Sequence, residues 1–151
     1  MELRDILLVL HIAGAGTWLG ANIVQAVAPG MAAKQGPAAA AGWWRIAAGL
    51  STRLYMPAAI VLLITGIWMV SLDEAYGFDA TFVTIGFAMI IIGTLLGIFV
   101  FERSSVRAAD AIDAGDQAGA KALRGRLAGF GILDTVLLLF TITAMVLRLG
   151  A

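Results

Sequence analysis

Long apolar runs and short polar breaks alternate along the chain. Four runs stand out: Ile6 to Ala28, Met56 to Leu72, Ala80 to Phe101 and Leu127 to Leu147. A hydrocarbon core of about 30 Å takes about 20 helical residues at a rise of about 1.5 Å each, so each run predicts a membrane-spanning helix. Breaker chemistry is confined to "AKQGP" at 33–37 and "DAGD" at 113–116, where glycine and proline end helices. Between these breaks and the apolar runs lie Ala-rich, helix-forming segments such as "AAAAGWWRIAAGL" and "SSVRAADAID". The pattern therefore predicts four helices, at about 4–32, 38–72, 80–112 and 117–149, most of them longer than the bilayer requires. Pro57 should kink the second near its inner end, because proline lacks the N–H of the helical ladder and its ring crowds the preceding turn. The fold class is all-α: a single membrane domain, 1–151, forming a four-helix bundle whose helices extend into the cytoplasm.

The runs also echo one another. Gly16-Thr17-Trp18-Leu19-Gly20 returns as Gly93-Thr94-Leu95-Leu96-Gly97, and "VLLITGIWMV" at 61–70 returns loosely as "LLLFTITAMV" at 137–146. Near-equal offsets suggest a duplicated helical hairpin with its halves related about the membrane normal. Gly16-x-x-x-Gly20, Gly93-x-x-x-Gly97 and Gly125-x-x-x-Gly129 read as small-residue surfaces for close helix packing.

Composition agrees with a membrane setting and narrows the chemistry. Hydrophobic residues make up 61% of the chain and charged ones 13%, about half the charged share of an average soluble domain. Ala26-Val27-Ala28 has the small-x-small form of a signal-peptide cleavage site, but the apolar run before it is too long for a secretory peptide and Pro29 would follow the cut. With no cysteine, disulfides, thiolate metal sites and cysteine nucleophiles are excluded. Net charge is zero, and nothing recommends a nucleic-acid partner. Eight of the ten Lys and Arg lie in the first and third connections, whereas the second holds Asp73, Glu74 and Asp79. By the positive-inside rule the basic connections are cytoplasmic and both termini face outward across an inner membrane. Trp43 and Trp44, beside Arg45, suit an aromatic anchor at the inner interface. Arg103, Arg107, Lys121, Arg124 and Arg126 form a basic cluster suited to anionic headgroups, offset by nearby acids.

Two polar positions inside the spans are candidates for chemistry. At about 100° per residue His11, Trp18, Asn22 and Gln25 share one face of the first helix, with Gly16 and Gly20 opposite. By helical rise His11 lies about 8 Å from the outer end, whereas Asn22 and Asp134 sit at a similar deeper level, so His11 and Asp134 should not touch. An ionised carboxylate in hydrocarbon costs about 3 kcal/mol on the lenient insertion scale, so Asp134 must be paired, hydrated or protonated. It is either a proton or cation site, with Asn22, Gln25 and Arg53 as neighbours, or a structural interhelical hydrogen bond. His11 is either a structural imidazole, bonded to a Thr such as Thr143 or to a backbone carbonyl, or a haem b or copper ligand. A second axial ligand would have to be Met69, Met89, Met145 or another copy of His11.

The stretch "LHIAGAGTWLG" at 10–20 resembles the first helix of CopD-like copper-resistance membrane domains and of small uncharacterised four-helix integral membrane proteins. A similar His-bearing first helix is found in the HemJ-type protoporphyrinogen oxidases. Thr65-Gly66 and the four-span layout resemble the uncharacterised group best, which implies a fold rather than a reaction. Carried over by position, the resemblance covers His11, Trp18 and Gly20; Ala21 follows Gly20 where the pattern often repeats glycine, and no second histidine is present. No phosphate loop, catalytic triad or His-x-x-x-His pair is present, so the reading leans away from an enzyme. The expectation is a structural or accessory membrane component with the bilayer as its first partner, in a homo-oligomer or larger complex. No cofactor is predicted. The alternatives are a haem or copper binder using His11 and a small transporter or proton-coupled carrier using Asp134.

Overall fold

A computed structural model describes residues 2–150; the outermost residues of the expected 1–151 domain lie outside it. Four helices carry the chain: α1 Leu3–Lys34, α2 Pro37–Leu72, α3 Thr81–Asp113 and α4 Gln117–Val146, each long and apolar enough to cross a membrane. Their ends follow local chemistry. Gly36, at φ 113°, lets the chain turn between α1 and α2, and Pro37 then opens α2 at a position where its missing N–H costs nothing. Gly115, at φ 73°, follows α3, and Asp116 caps α4 by accepting from the Gly119 N–H at 2.9 Å. On the opposite face Arg4 donates to Asp73 at 3.2 Å, tying the start of α1 to the loop after α2. The Ala75 N–H, and after it Tyr76 and Arg4, hold the Asp73 carboxyl below the usual carboxylate range.

Around the bundle α1 packs on α2 and α4, and α3 on the same two, leaving α1 and α3 on a diagonal. The core is layered. At the end bearing the basic connections, Ala41, Trp44, Ala47, Ala108, Ala109 and Leu127 pack together. The middle is filled by Trp18, Ala59, Leu62, Met89 and Leu138, and the far end by Val70, Ala80, Phe82, Val83 and Ala144. Trp44 belongs to this packing, 6% exposed, rather than to an interfacial anchor, and Trp43 is half-buried beside it. The alanines opposite the indole let α2 and α3 approach closely enough to enclose it, while Arg45 turns outward to pair with Asp113.

Pro57 is preceded by a widened turn. There Ser51–Tyr55 of α2 is π-helical, and the Met56 N–H reaches back five residues to the Ser51 carbonyl. The wider turn makes room for the proline ring and for the carbonyl it would otherwise strike. A second π-helical turn, Gly97–Glu102 in α3, lies against the first, bridged by Ser51 Oγ donating to the Gly97 carbonyl at 3.3 Å. The offset that equates the two hairpins maps this turn onto 20–25 of α1, which is regular α-helix, so the halves differ there.

The glycine pairs also sort differently. A methyl group at Gly16, Gly20, Gly125 or Gly129 would meet nothing within 4 Å, so these pairs bring no helices together within this chain. They lie on the faces turned away from the core. The glycine that brings α1 against α2 is Gly14, where a Cβ would lie 3.1 Å from Leu62 and 3.4 Å from the Ala58 carbonyl oxygen.

Candidate functional site

The inward stripe of α1 runs through the bundle as a polar seam. At its deeper end Trp18 crosses the diagonal: its six-membered ring lies against Gly93 of α3, and its ring meets Tyr55 of α2 edge-on at a centroid distance of 5.8 Å. No side chain stands at Gly93, which leaves the indole its place. The indole N–H then donates to Asp134 Oδ2 at 3.0 Å, and the Asn22 amide donates to the same oxygen at 2.8 Å. Asp134 is 3% exposed, and both donors come from α1.

The hydrogen bonds behind Asn22 all point the same way. Gln25 donates to the Tyr55 hydroxyl at 2.8 Å, Tyr55 donates to Asn22 Oδ1 at 2.7 Å, and Asn22 donates onward to Asp134 and to Thr135 Oγ1. Each donor polarises the next, and the chain ends on the carboxyl. Gln25 therefore belongs to the network without touching Asp134. Arg53 does not belong to it: its side chain is exposed, folded over Gly49 of its own helix. Placement just inside the π-helical turn directs Tyr55, two residues on, into the bundle instead. Sequence reasoning missed Tyr55 and assigned no bonding role to Trp18. The signal for Trp18 was its place on the stripe with Asn22; nothing local marks Tyr55.

Asp134 Oδ1 accepts no hydrogen bond from the described residues. It faces Gly93 and a cavity of about 20 Å³ lined by Trp18, Ser51, Tyr55, Gly93, Gly97 and Phe101 besides Asp134 itself. A water needs about 10–15 Å³ by this measure, so one fits. Among the described residues the ion pairs are Arg4–Asp73 and Arg45–Asp113, and no cation pairs with Asp134.

His11 lies elsewhere on the seam. Its Nδ1 is 2.8 Å from Thr65 Oγ1 of α2, not from Thr143, whose hydroxyl donates to the Leu139 carbonyl within α4. Thr65 has one hydroxyl proton and places it on the Val61 carbonyl at 2.6 Å. Thr65 Oγ1 is therefore placed to accept from Nδ1–H. One ring nitrogen is not a ligand set. No group of three or more His, Cys, Asp or Glu is placed to hold a metal among the described residues. Met89 is packed in the middle core layer.

A family model described as "Predicted integral membrane protein (DUF2269)" matches residues 5–149. No curated protein and no solved structure matches the chain.

Proposed function

This chain belongs to the DUF2269 family of predicted integral membrane proteins, and from that premise we propose that it takes up and releases a proton within the bilayer at Asp134. The observation that carries the reading is the asymmetry of that carboxyl. Oδ2 is held by two N–H donors, while Oδ1 has no protein partner and borders a cavity that fits one water. In the charged form the converging donors stabilise the anion; in the neutral form the proton sits on Oδ1, where a water can deliver or receive it. A bound hard metal cation is less well served, because such ions want about six oxygen ligands and the cavity's side-chain oxygens belong to Asp134, Ser51 and Tyr55 alone. In this reading the end with the two basic connections faces the cytoplasm and both termini lie outside an inner membrane, the orientation that the positive-inside rule favours.

The test is pH-difference infrared spectroscopy of the protein in lipid nanodiscs. A protonated-carboxyl band that rises and falls with pH, and that is lost in Asp134→Asn, is the expected result. A pH difference spectrum unchanged by Asp134→Asn would overturn the proposal.

His11 serves structure in this reading, clamping α1 to α2 through Thr65. The purified protein should accordingly show no Soret band and no stoichiometric copper. The opposite outcome has a definite form: a haem or copper signal that disappears in His11→Ala, with the fold intact, would make His11 a ligand.

A further inference from the structure

The cavity beside Asp134 does not end at the carboxyl. It shares Trp18, Ser51, Tyr55, Gly93 and Gly97 with a second cavity of about 30 Å³ that runs out between α2 and α3, past Thr52, Met56, Thr94 and Ile98. Those four outer residues are all exposed on the surface of the bundle. The opening follows the place where the two π-helical turns face each other, and two features of the chain keep it open. No side chain stands at Gly97, where a methyl would lie 3.9 Å from Ser51 Oγ, and the widened turn before Pro57 alters how α2 presents itself to α3.

The depth of this mouth indicates which water it meets. Counted from the opposite end of the bundle at about 1.5 Å per residue, Thr94 lies about 20 Å in and Thr52 about 30 Å in, toward the inner limit of a core about 30 Å thick. The hydroxyls of Thr52 and Thr94 stand there, with the basic connections beyond. Toward the other side, the interior beside Trp18 is closed by Leu62, Met89 and Leu138.

We infer that protons reach Asp134 from the side of the basic connections, through the seam between the π-helical turns of α2 and α3, with Ser51 and Gly97 as its narrowest point. The inference rests on the protonation of Asp134 proposed above and adds its route. A hydronium ion entering the seam gives its proton to Oδ1 and remains as water; discharge runs the same steps in reverse.

The absence of native cysteine makes the route testable by thiol chemistry. Single cysteines at Ser51→Cys and Thr94→Cys, in protein reconstituted in liposomes, are exposed to a small cationic methanethiosulfonate reagent. Thiols react as thiolates, which form in water and not in lipid. Both should be modified at least about tenfold faster than Leu95→Cys, which sits at the depth of Thr94 on an exposed apolar face of α3. They should react from the side on which Gln35→Cys reacts. Adding Gly97→Val to Ser51→Cys should slow its modification by about tenfold or more, by filling the narrow point. Rates as slow as that of Leu95→Cys, or labelling from the side opposite Gln35→Cys, would overturn the route. Labelling does not depend on whether Asp134 is protonated. An unreactive seam therefore fails the route while the infrared band stands, and a missing band fails the proton site whatever the labelling.

Discussion

Adding a single methyl group at Gly93 should destabilise the bundle by about 1–3 kcal/mol, the usual cost of overpacking a well-filled core. A Cβ there would overlap the six-membered ring of Trp18. The indole is rigid and is held on its other side by Tyr55 and by its hydrogen bond to Asp134, so it yields only by leaving that bond. Gly86 of the same helix provides the control. Its Cβ would meet the terminal methyl of Met145, the far end of a flexible side chain that can swing aside, and Gly86→Ala should cost less than about 1 kcal/mol. Thermal unfolding of both variants in the same detergent measures the difference. Equal midpoints for Gly93→Ala and the unmodified protein would show that Trp18 is not locked across the diagonal. Loss of the Trp18 bond should also alter the pH response of the Asp134 carboxyl band, which Gly86→Ala should leave in place.

Replacing Asp134 with leucine should cost about 2–4 kcal/mol, whereas Asp134→Asn should cost about 1 kcal/mol or less. Leucine branches at Cγ as aspartate does, but it carries two bulkier methyls in place of the oxygens and accepts nothing. The Trp18 N–H and one amide proton of Asn22 would lose their acceptor inside the bundle, at about 1–3 kcal/mol for each orphaned donor. Asparagine presents a carbonyl oxygen where Oδ2 stood, so both donors keep their acceptor, and its amide group turns toward the cavity. Stability and proton chemistry are thereby separated, since Asn preserves the first and removes the second. The ordering Asn above Leu in melting temperature, with the pH-sensitive band lost in both, is the expected result. Similar destabilisation by the two substitutions would mean that the charge, rather than the hydrogen bonds, holds α1 to α4.

Much of this architecture was legible in the order of residues. Span number, helix bounds to within a few residues, and the two glycine turns follow from hydropathy and breaker positions, because a chain in lipid must satisfy its backbone within each helix. The inward stripe of α1 was legible for the same reason: a helical period places His11, Trp18, Asn22 and Gln25 on one face. So was the common level of Asn22 and Asp134, since depth along a helix is only a count of residues.

The partners were not legible. Arg53 and Tyr55 are two residues apart in one turn, and the π-helical widening decides which of them reaches Asn22. Pro57 announces a disturbance in α2 without giving its form, and nothing about Gly97 announces a π-helical turn in α3. Gly16-x-x-x-Gly20 and Gly93-x-x-x-Gly97 are alike as motifs, yet the first faces outward and the second shelters Trp18 and lines the cavity. Periodicity and hydropathy act along one helix at a time, so the sequence by itself determined the spans, their depths and the polar face of α1. Rotation of four helices about their axes is settled only when they close on one another, because a bulky group such as Trp18 must find a gap such as Gly93 on a helix that the sequence does not mark as its neighbour. The tertiary structure alone therefore decided that Asp134 is bonded through one oxygen and open through the other.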